Sequence, residues 1–230
     1  HDDAVALAHG HARDDRHFSE IDIAHRQQFA HAHVGVQAGP NDLVPPQRLD
    51  RLVNLLALVA MSVWRQPLPE VLRENIMDPI GASPTWRWHG YDNSWITMDG
   101  RRVQAVSGGA HWGGGMLISA FDQARFGLLT MHKGNWNGKQ LISEEWIDMA
   151  TTPGPVNRTY GFMNFSLNTD QRRYENAPEY TWTHTGAGSN LIYVDPANEL
   201  VIVARWIQGR VFTDVVHTVL GAMGAVAATN

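Results

Sequence analysis

Residues 181–207 constrain the fold more than any other stretch of this 230-residue chain. Two apolar runs, Asn190–Val194 and Leu200–Ile207, flank the sequence Asp-Pro-Ala-Asn, in which proline fixes φ and the Asp and Asn side chains can bond their own backbone. The pattern predicts a β-hairpin. A third β-branched and aromatic run, Thr181–Thr185, precedes it and stops at a glycine-rich sequence. The whole segment therefore predicts three consecutive antiparallel strands.

The last of these strands should lie inside a sheet. Leu200–Ile207 is almost continuously apolar, which is typical of a strand that is covered on both faces. Left at an edge, such a strand would promote aggregation. We therefore expect it to be covered by the first fifty residues, by a second copy of the chain, or by a separately encoded N-terminal half.

Helical patterns occur on both sides of this segment, and the combination predicts an α+β fold in which helices flank an antiparallel sheet. Serines in capping positions mark two of the helix starts. Residues 79–115, rich in Gly and Trp, are expected to be irregular. The predicted elements are a mostly buried helix over Leu55–Val63, helices over Glu70–Met77, Ala120–His132 (with Phe121 toward the core) and Ser143–Met149, a strand over Tyr160–Leu167, and a helix over Val211–Ala228 whose small residues lie against the sheet.

The composition excludes several classes of function. A net charge of −5 gives no electrostatic footprint for nucleic acid, and no run of about 18 apolar residues predicts a membrane span. The absence of cysteine excludes disulfides and thiol catalysis but leaves the compartment open. The glycine triplet at 113–115 lacks the flanking residues of a phosphate-binding loop, so we expect no cofactor.

The first fifty residues differ in kind from residues 51–230, and we treat them as a separate, atypical segment. Seven of the twelve histidines precede residue 34. The pairs His9/His11 and His31/His33 would each place two imidazoles on one side of an extended strand, a spacing compatible with zinc or copper. The ordinary alternative is a solvated histidine-rich segment. The chain begins with His and not Met, which suggests a fragment.

The triplet His184-Thr185-Gly186, with the hairpin behind it, resembles the third motif of the β-lactamase-related serine hydrolases. This superfamily includes class C β-lactamases, penicillin-binding proteins and esterases. The resemblance covers about Asn54 to Trp206 and implies the C-terminal portion of a β-lactamase/transpeptidase-like fold, without its N-terminal strands and nucleophile helix. Four further segments follow the order expected of the family, namely Trp64–Leu72, Met77–Ala82, Trp112–Met116 and Phe121–Phe126.

The resemblance also implies roles for single residues. Thr185 would face a substrate carboxylate, and beyond Gly186 the N–H of Ala187 would supply half of an oxyanion hole. His184, in place of the usual lysine, would titrate near neutrality. Asn54 stands where the Asn of the second motif belongs, although the Tyr of that motif is missing; alternatively, Asn54 is a helix N-cap.

The first motif is absent. Acyl transfer in this superfamily requires a nucleophilic Ser and a Lys three residues later, on the same helix face. The chain has two lysines, Lys133 and Lys139, and neither follows a serine at that spacing. The nearest imitation is Ser62 with Arg65, but an arginine with a pKa above about 12 cannot act as a base at neutral pH.

These residues leave three hypotheses. The chain resembles a serine hydrolase of esters or amides that is catalytically incomplete by itself. Alternatively, it is a non-catalytic module that binds a small ligand or a partner, or it binds a metal through its N-terminal histidines. The abrupt change near residue 50 and the missing tyrosine further suggest a truncated or frame-shifted reading frame.

Overall fold

The computed structural model describes residues 5–9, 46–90, 94–106, 115–162, 164–186 and 189–224, and for residues 5–9 and 46–54 it describes the backbone alone. The chain divides into two compact units. The split unit consists of His1–Val36 and Met149–Asn230, and the continuous unit consists of Gln37–Asp148.

A five-stranded antiparallel sheet forms the centre of the split unit. The predicted hairpin and the strand before it are confirmed, and the last strand lies inside the sheet as predicted. In spatial order the strands are β1 (Val5–His9), β11 (Leu200–Ala204), β10 (Asn190–Asp195), β9 (Trp182–Gly186) and β8 (Ser166–Leu167).

An N-terminal strand covers the apolar edge of β11. β1 pairs antiparallel with β11 from Val5↔Ala204 to His9↔Leu200. Of the three expected covers for this edge, the first fifty residues are the one observed, and the implied absence of N-terminal strands is wrong for this strand. The sequence did not reveal this strand because its apolar run is short and lies among histidines and charges.

The turn between β10 and β11 is built by the residues that predicted it. The backbone N–H and the side-chain amide of Asn198 donate to the carboxylate of Asp195 at 3.1 and 2.7 Å. The Tyr193 hydroxyl donates to the same carboxylate at 3.0 Å. Burial, and next the charge of Asp195, raise the pKa of Tyr193, so the phenol stays protonated.

Helix α5 (Gly209–Met223) packs on one face of this sheet through Phe212, Val216 and Leu220. The predicted role of its small residues is wrong, because Gly221 is exposed and the helix packs through its large side chains. The helix ends at Gly224, whose φ of 66° is the left-handed conformation typical of a helix C-terminus.

The continuous unit contains helices and three small antiparallel ribbons. The two serine caps are confirmed, since Ser119 Oγ accepts from the N–H of Asp122 and Ser143 Oγ from that of Trp146. The elements in this part of the chain are α1 (Pro46–Trp64), α2 (Leu68–Leu72) running into a π-helical turn (Arg73–Met77), β2 (Arg87–His89) paired with β5 (Gly115–Leu117), β3 (Trp95–Met98) paired with β4 (Arg101–Gln104), α3 (Ala120–Met131), β6 (Asn135–Trp136) paired with β7 (Lys139–Gln140), and α4 (Glu144–Ala150).

Three expectations about local structure are corrected. Residues 79–115 contain short strands, because alternation over three or four residues is too brief to be recognised among so many glycines. Phe121 is exposed, since α3 turns Ala124 and Leu129 inward. Tyr160–Leu167 is not one strand: the chain turns where the N–H of Phe162 bonds the Ala150 carbonyl, and pairing with β9 begins at Ser166.

Helix α1 begins earlier and is less buried than predicted. It starts at Pro46, so Asn54 lies well inside the helix and is not its N-cap. Met61 is 1% exposed and packs with Val103 and Ala105, whereas Val63 is 76% exposed. Apolar periodicity indicates which side chains can be buried, but it does not guarantee a covering surface. The other exposed large apolar side chains of this helix are Leu55, Leu56, Leu58, Val59 and Trp64.

No helix among the described residues is long and apolar enough to cross a membrane.

Candidate functional site

The outer edge of β9 is open at its C-terminal end. β8 pairs with Trp182 and Thr183 and then stops, so no strand among the described residues pairs with β9 beyond Thr183 on that side. Thr185 and Gly186 are exposed. The backbone N–H of Thr185 donates to Asn164 Oδ1 at 3.3 Å, and its hydroxyl lies 3.5 Å from the same oxygen. The side-chain amide of Asn164 thus accepts from a backbone N–H that would otherwise bond a neighbouring strand.

His184 lies just before this open edge, and its imidazole is buried. It is 8% exposed, and the ring of Phe165 meets it edge-on with 4.5 Å between ring centroids. Burial lowers the pKa of His184 to about 4, and a hydrogen bond with the backbone of Asn164 offsets only part of this effect. The expectation that His184 titrates near neutrality is therefore wrong. The imidazole is neutral at pH 7 and cannot replace the charge of a lysine.

The packing of the described residues does not require a glycine at position 186. A Cβ built there would lie 3.5 Å from Asn190 Cβ, which is an ordinary van der Waals distance, and its φ is not positive. A glycine that neither turn geometry nor crowding requires is consistent with close approach of a ligand to the backbone. Ala187, the predicted oxyanion donor, lies outside the described residues.

Two polar side chains that the sequence did not reveal as candidates also lie at this end of the sheet. Asn190 is the register partner of Gly186 on β10, and Arg205 follows the last residue of β11. Arg205 Nε donates to Asn190 Oδ1 at 3.2 Å. The register of the predicted hairpin could have revealed this pair, because residues opposite each other on antiparallel strands lie on the same face. Asn164 was missed because it lies in the segment that was predicted as a strand.

The residues considered for the first two motifs lie in the continuous unit, and two of them, Ser62 and Arg65, have described side-chain partners. The Ser62 hydroxyl donates to the carbonyl of Leu58, one helical turn earlier, at 2.8 Å. Arg65 forms a salt bridge with Asp99. Asn54 lies in α1, where the structure describes its backbone but not its side chain. Its assignment to the second motif therefore stays a prediction.

The proposed histidine metal site falls almost entirely outside the described residues. Of the four histidines, His9 is described at its backbone, where it ends β1. Within the ranges that the structure describes, no group of three His, Cys, Asp or Glu side chains could hold a metal ion.

The continuous unit also has a shallow apolar hollow of about 420 Å³, beside Ile76, Phe126 and Trp146. Ser143 is the one polar residue in its lining. The described residues that line it include no pair of acid–base groups.

Comparison with known proteins gives matches at the level of structure. The sequence matches no protein-family model and no curated protein. A β-lactamase from Mycobacterium bovis superposes with a TM-score of 0.54 at 16% identity, over 76% of this chain and 63% of that protein. Simvastatin synthase from Aspergillus terreus gives 0.52 at 14% identity, over 76% of this chain and 54% of that protein. EstCE1, described as a hydrolase with promiscuous acyltransferase activity, gives 0.50 at 16% identity, over 71% and 53%.

These similarities establish the fold. The predicted α+β architecture of the β-lactamase/transpeptidase type is confirmed, and the chain spans 53–63% of the length of these three proteins. Identities of 14–16% are too low to transfer an activity or a substrate.

Proposed function

Because the chain has a β-lactamase-like fold, we propose that it is part of a β-lactamase-related serine hydrolase and that, by itself, it binds a small ester or amide without forming an acyl-serine. The observation that carries this proposal is the open edge of β9 at Thr185 and Gly186, where strand β8 stops.

An open strand edge suits a carbonyl ligand. Its backbone N–H and C=O groups bond an extended ligand as a further strand would. At Thr185 the N–H is bonded to the Asn164 side chain at 3.3 Å, a long bond on an exposed residue that a ligand carbonyl can displace. The Thr185 hydroxyl beside it provides a second donor, and the missing side chain of Gly186 lets the ligand approach the backbone.

Among the described residues, neither the serine considered for the first motif nor Lys133 is placed for acyl transfer. The Ser62 hydroxyl donates to the carbonyl of Leu58, and Arg65 forms a salt bridge with Asp99. A lysine acts as a base when its pKa is lowered, but hydrogen bonds with Glu144 and then Asp148 raise the pKa of Lys133. The nitrogen of Lys133 lies 2.9 and 3.2 Å from these two carboxylates. The lysine is thus occupied by a surface ion pair.

Intact-mass spectrometry of the folded chain after incubation with a fluorophosphonate tests the covalent part of the proposal. We expect no adduct, and no burst of nitrophenol from nitrophenyl acetate. A stoichiometric adduct on folded protein would overturn this part, and Ser62→Ala would then show whether Ser62 carries it.

The binding part is tested by amide NMR with phenylacetamide, a neutral small amide. Its addition should shift the Thr185 and Gly186 signals, and Thr185→Val should weaken binding several-fold. Thr218→Val is the matched control, because the Thr218 hydroxyl bonds a carbonyl within α5. If phenylacetamide leaves the signals of β9 unchanged, this edge is not a site for amides.

A further inference from the structure

The β6–β7 hairpin turns at Asn137 and Gly138, the one Asn-Gly pair of the sequence. The two strands pair as far as Trp136↔Lys139, so the loop between them has two residues. Both loop residues have a positive φ, 49° at Asn137 and 82° at Gly138, as a type I′ turn requires. Both are exposed, and a Cβ built at Gly138 would meet no atom within 4 Å. The position from which a side chain would hinder approach to the Gly138 nitrogen is therefore open.

The side-chain amide of Asn137 is the reactive group in this turn. The structure gives this amide no hydrogen bond among the described residues. The β10–β11 turn differs, because there the Asn198 side chain donates to Asp195 at 2.7 Å and the following residue is Glu199. An amide carbon that is free to turn, next to a backbone nitrogen without a neighbouring side chain, can close a five-membered ring with that nitrogen. Asn137 meets both conditions, and Asn198 meets neither.

One hydrogen bond opposes this ring closure. The N–H of Gly138 donates to Asn135 Oδ1 at 3.1 Å. Asn135 is itself placed by its pairing with Gln140, whose Oε1 lies 3.4 Å from Asn135 Nδ2. For ring closure the Gly138 nitrogen must lose its proton and turn toward the Asn137 side chain, and an N–H that is bonded to an acceptor resists both changes. The hairpin thus contains a reactive pair of residues together with a side chain that slows their reaction.

We propose that Asn137 is a site of spontaneous deamidation and that the Asn135 side chain sets its rate. The Gly138 nitrogen gives its proton to water or hydroxide and attacks Cγ of Asn137. A C–N bond forms, the bond from Cγ to the amide nitrogen breaks, and that nitrogen takes up a proton and leaves as ammonia. Water then opens the resulting succinimide at either carbonyl, which yields aspartate or isoaspartate. Isoaspartate lengthens the backbone of the loop by a methylene group, and the strand pairing depends on the two-residue length of this loop.

Peptide mapping by mass spectrometry of the folded chain, aged in a mildly alkaline buffer, tests this assignment. We expect conversion at Asn137 before Asn157 or Asn198, with both aspartate and isoaspartate at position 137; earlier conversion at either of the other two would overturn the site. Asn135→Ala should accelerate the conversion about two- to tenfold, the factor that corresponds to the net free energy of one hydrogen bond. Asn135→Asp should stay close to the rate of the unmodified chain, because its carboxylate still accepts from the Gly138 N–H.

A control variant separates the loss of this hydrogen bond from a general loosening of the hairpin. Gln140→Ala removes the hydrogen bonds from Gln140 Nε2 to the carbonyls of Lys133 and Ile142, and it leaves Asn135 Oδ1 in place. It should accelerate the conversion less than Asn135→Ala does. Equal or faster conversion in Gln140→Ala would overturn the role of Asn135, because the looseness of the hairpin would then set the rate.

The unmodified chain provides a test that does not depend on any variant. Unfolded in urea, it lacks the hydrogen bond between Gly138 and Asn135, and Asn137 should be converted several-fold faster than in the folded chain. Equal rates in the two states contradict the proposal, and this comparison still decides if Asn135→Ala does not fold. The result is independent of the proposed binding of esters and amides, because the hairpin shares no residue with the edge of β9.

Discussion

The buried imidazole of His184 makes this protein sensitive to acid. Its pKa is about 4 in the folded protein and about 6.5 in the unfolded chain, so between these values the unfolded state binds more protons. The stability that the neutral form contributes is complete above about pH 6.5 and is lost as the pH falls toward 4. We expect the free energy of unfolding to fall by about 2–3 kcal/mol from this group between pH 7 and pH 4.5. Urea titrations at a series of pH values measure it.

The substitution His184→Gln should remove this part of the pH dependence, because glutamine does not titrate. His132→Gln serves as the control, since it makes the same replacement at an exposed position. If the unmodified protein and His184→Gln lose stability in parallel between pH 7 and pH 4.5, His184 is not a buried neutral group.

At the scale of single residues, the sequence indicated where the Thr-Gly pair lies but not its environment. The position of Thr185 and Gly186 at the end of a strand could be predicted because the signal is local in the chain. The low pKa of His184 could not be predicted, because it results from burial against residues such as Phe165. The sequence had placed Phe165 within a continuous strand, Tyr160–Leu167, and gave no sign of this contact. Arg205 was missed for a related reason: its partner Asn190 is 15 positions away and becomes its neighbour only through the strand register.

Among the elements, the β6–β7 hairpin depends on two glycines for different reasons. Gly134 and Gly138 have nearly equal positive φ values of 80° and 82°. A Cβ at Gly134 would overlap with the carbonyl oxygen of Ile142, whereas at Gly138 it would meet no atom within 4 Å. Gly138→Ala should therefore cost about 1 kcal/mol of unfolding free energy, from backbone strain alone. Gly134→Ala should cost about 3 kcal/mol or more, because overpacking adds to the same strain.

Chemical denaturation of the two variants under one set of conditions measures this difference. Because the backbone strain is the same, the difference between them reports the steric overlap with Ile142. Equal losses for Gly134→Ala and Gly138→Ala would show that the chain relaxes without cost around residue 134, contrary to the packing described above.

The elements that were predicted correctly have signals that are local in the chain. The β10–β11 turn, the serine caps and the helices near Glu70 and Ala120 each depend on residues within a few positions of one another. The elements that were predicted wrongly depend on distant contacts. Tyr160–Leu167 turns because its backbone bonds Ala150, and β1 exists as a strand because β11 pairs with it.

For the whole molecule, the outer face of α1 exposes more apolar surface than its sequence suggested. Met61 and Val63 lie two residues apart, yet one is buried and the other is 76% exposed. Met61→Ala should lower the free energy of unfolding by about 2–5 kcal/mol because it leaves a cavity beside Val103. Val63→Gln should change it by less than about 0.5 kcal/mol, because no packing is lost at an exposed position.

Urea unfolding of the two variants checks this expectation. Sedimentation confirms that both variants are compared in the same oligomeric state. A loss of more than 1.5 kcal/mol for Val63→Gln would mean that Val63 is covered in solution, since surface substitutions usually stay within about 0.5 kcal/mol.

The pairing of β1 with β11 also determines when the sheet can be completed. The two strands lie about 200 positions apart in the chain, and the continuous unit is synthesised between them. At a translation rate of about 5–20 residues per second, β1 waits roughly 10–40 s for its partner strand to leave the ribosome. During this interval β1 has no partner strand within its own chain. The sheet is therefore completed only after β11 has been synthesised, and a second chain whose β11 is still unpaired is the alternative partner for β1.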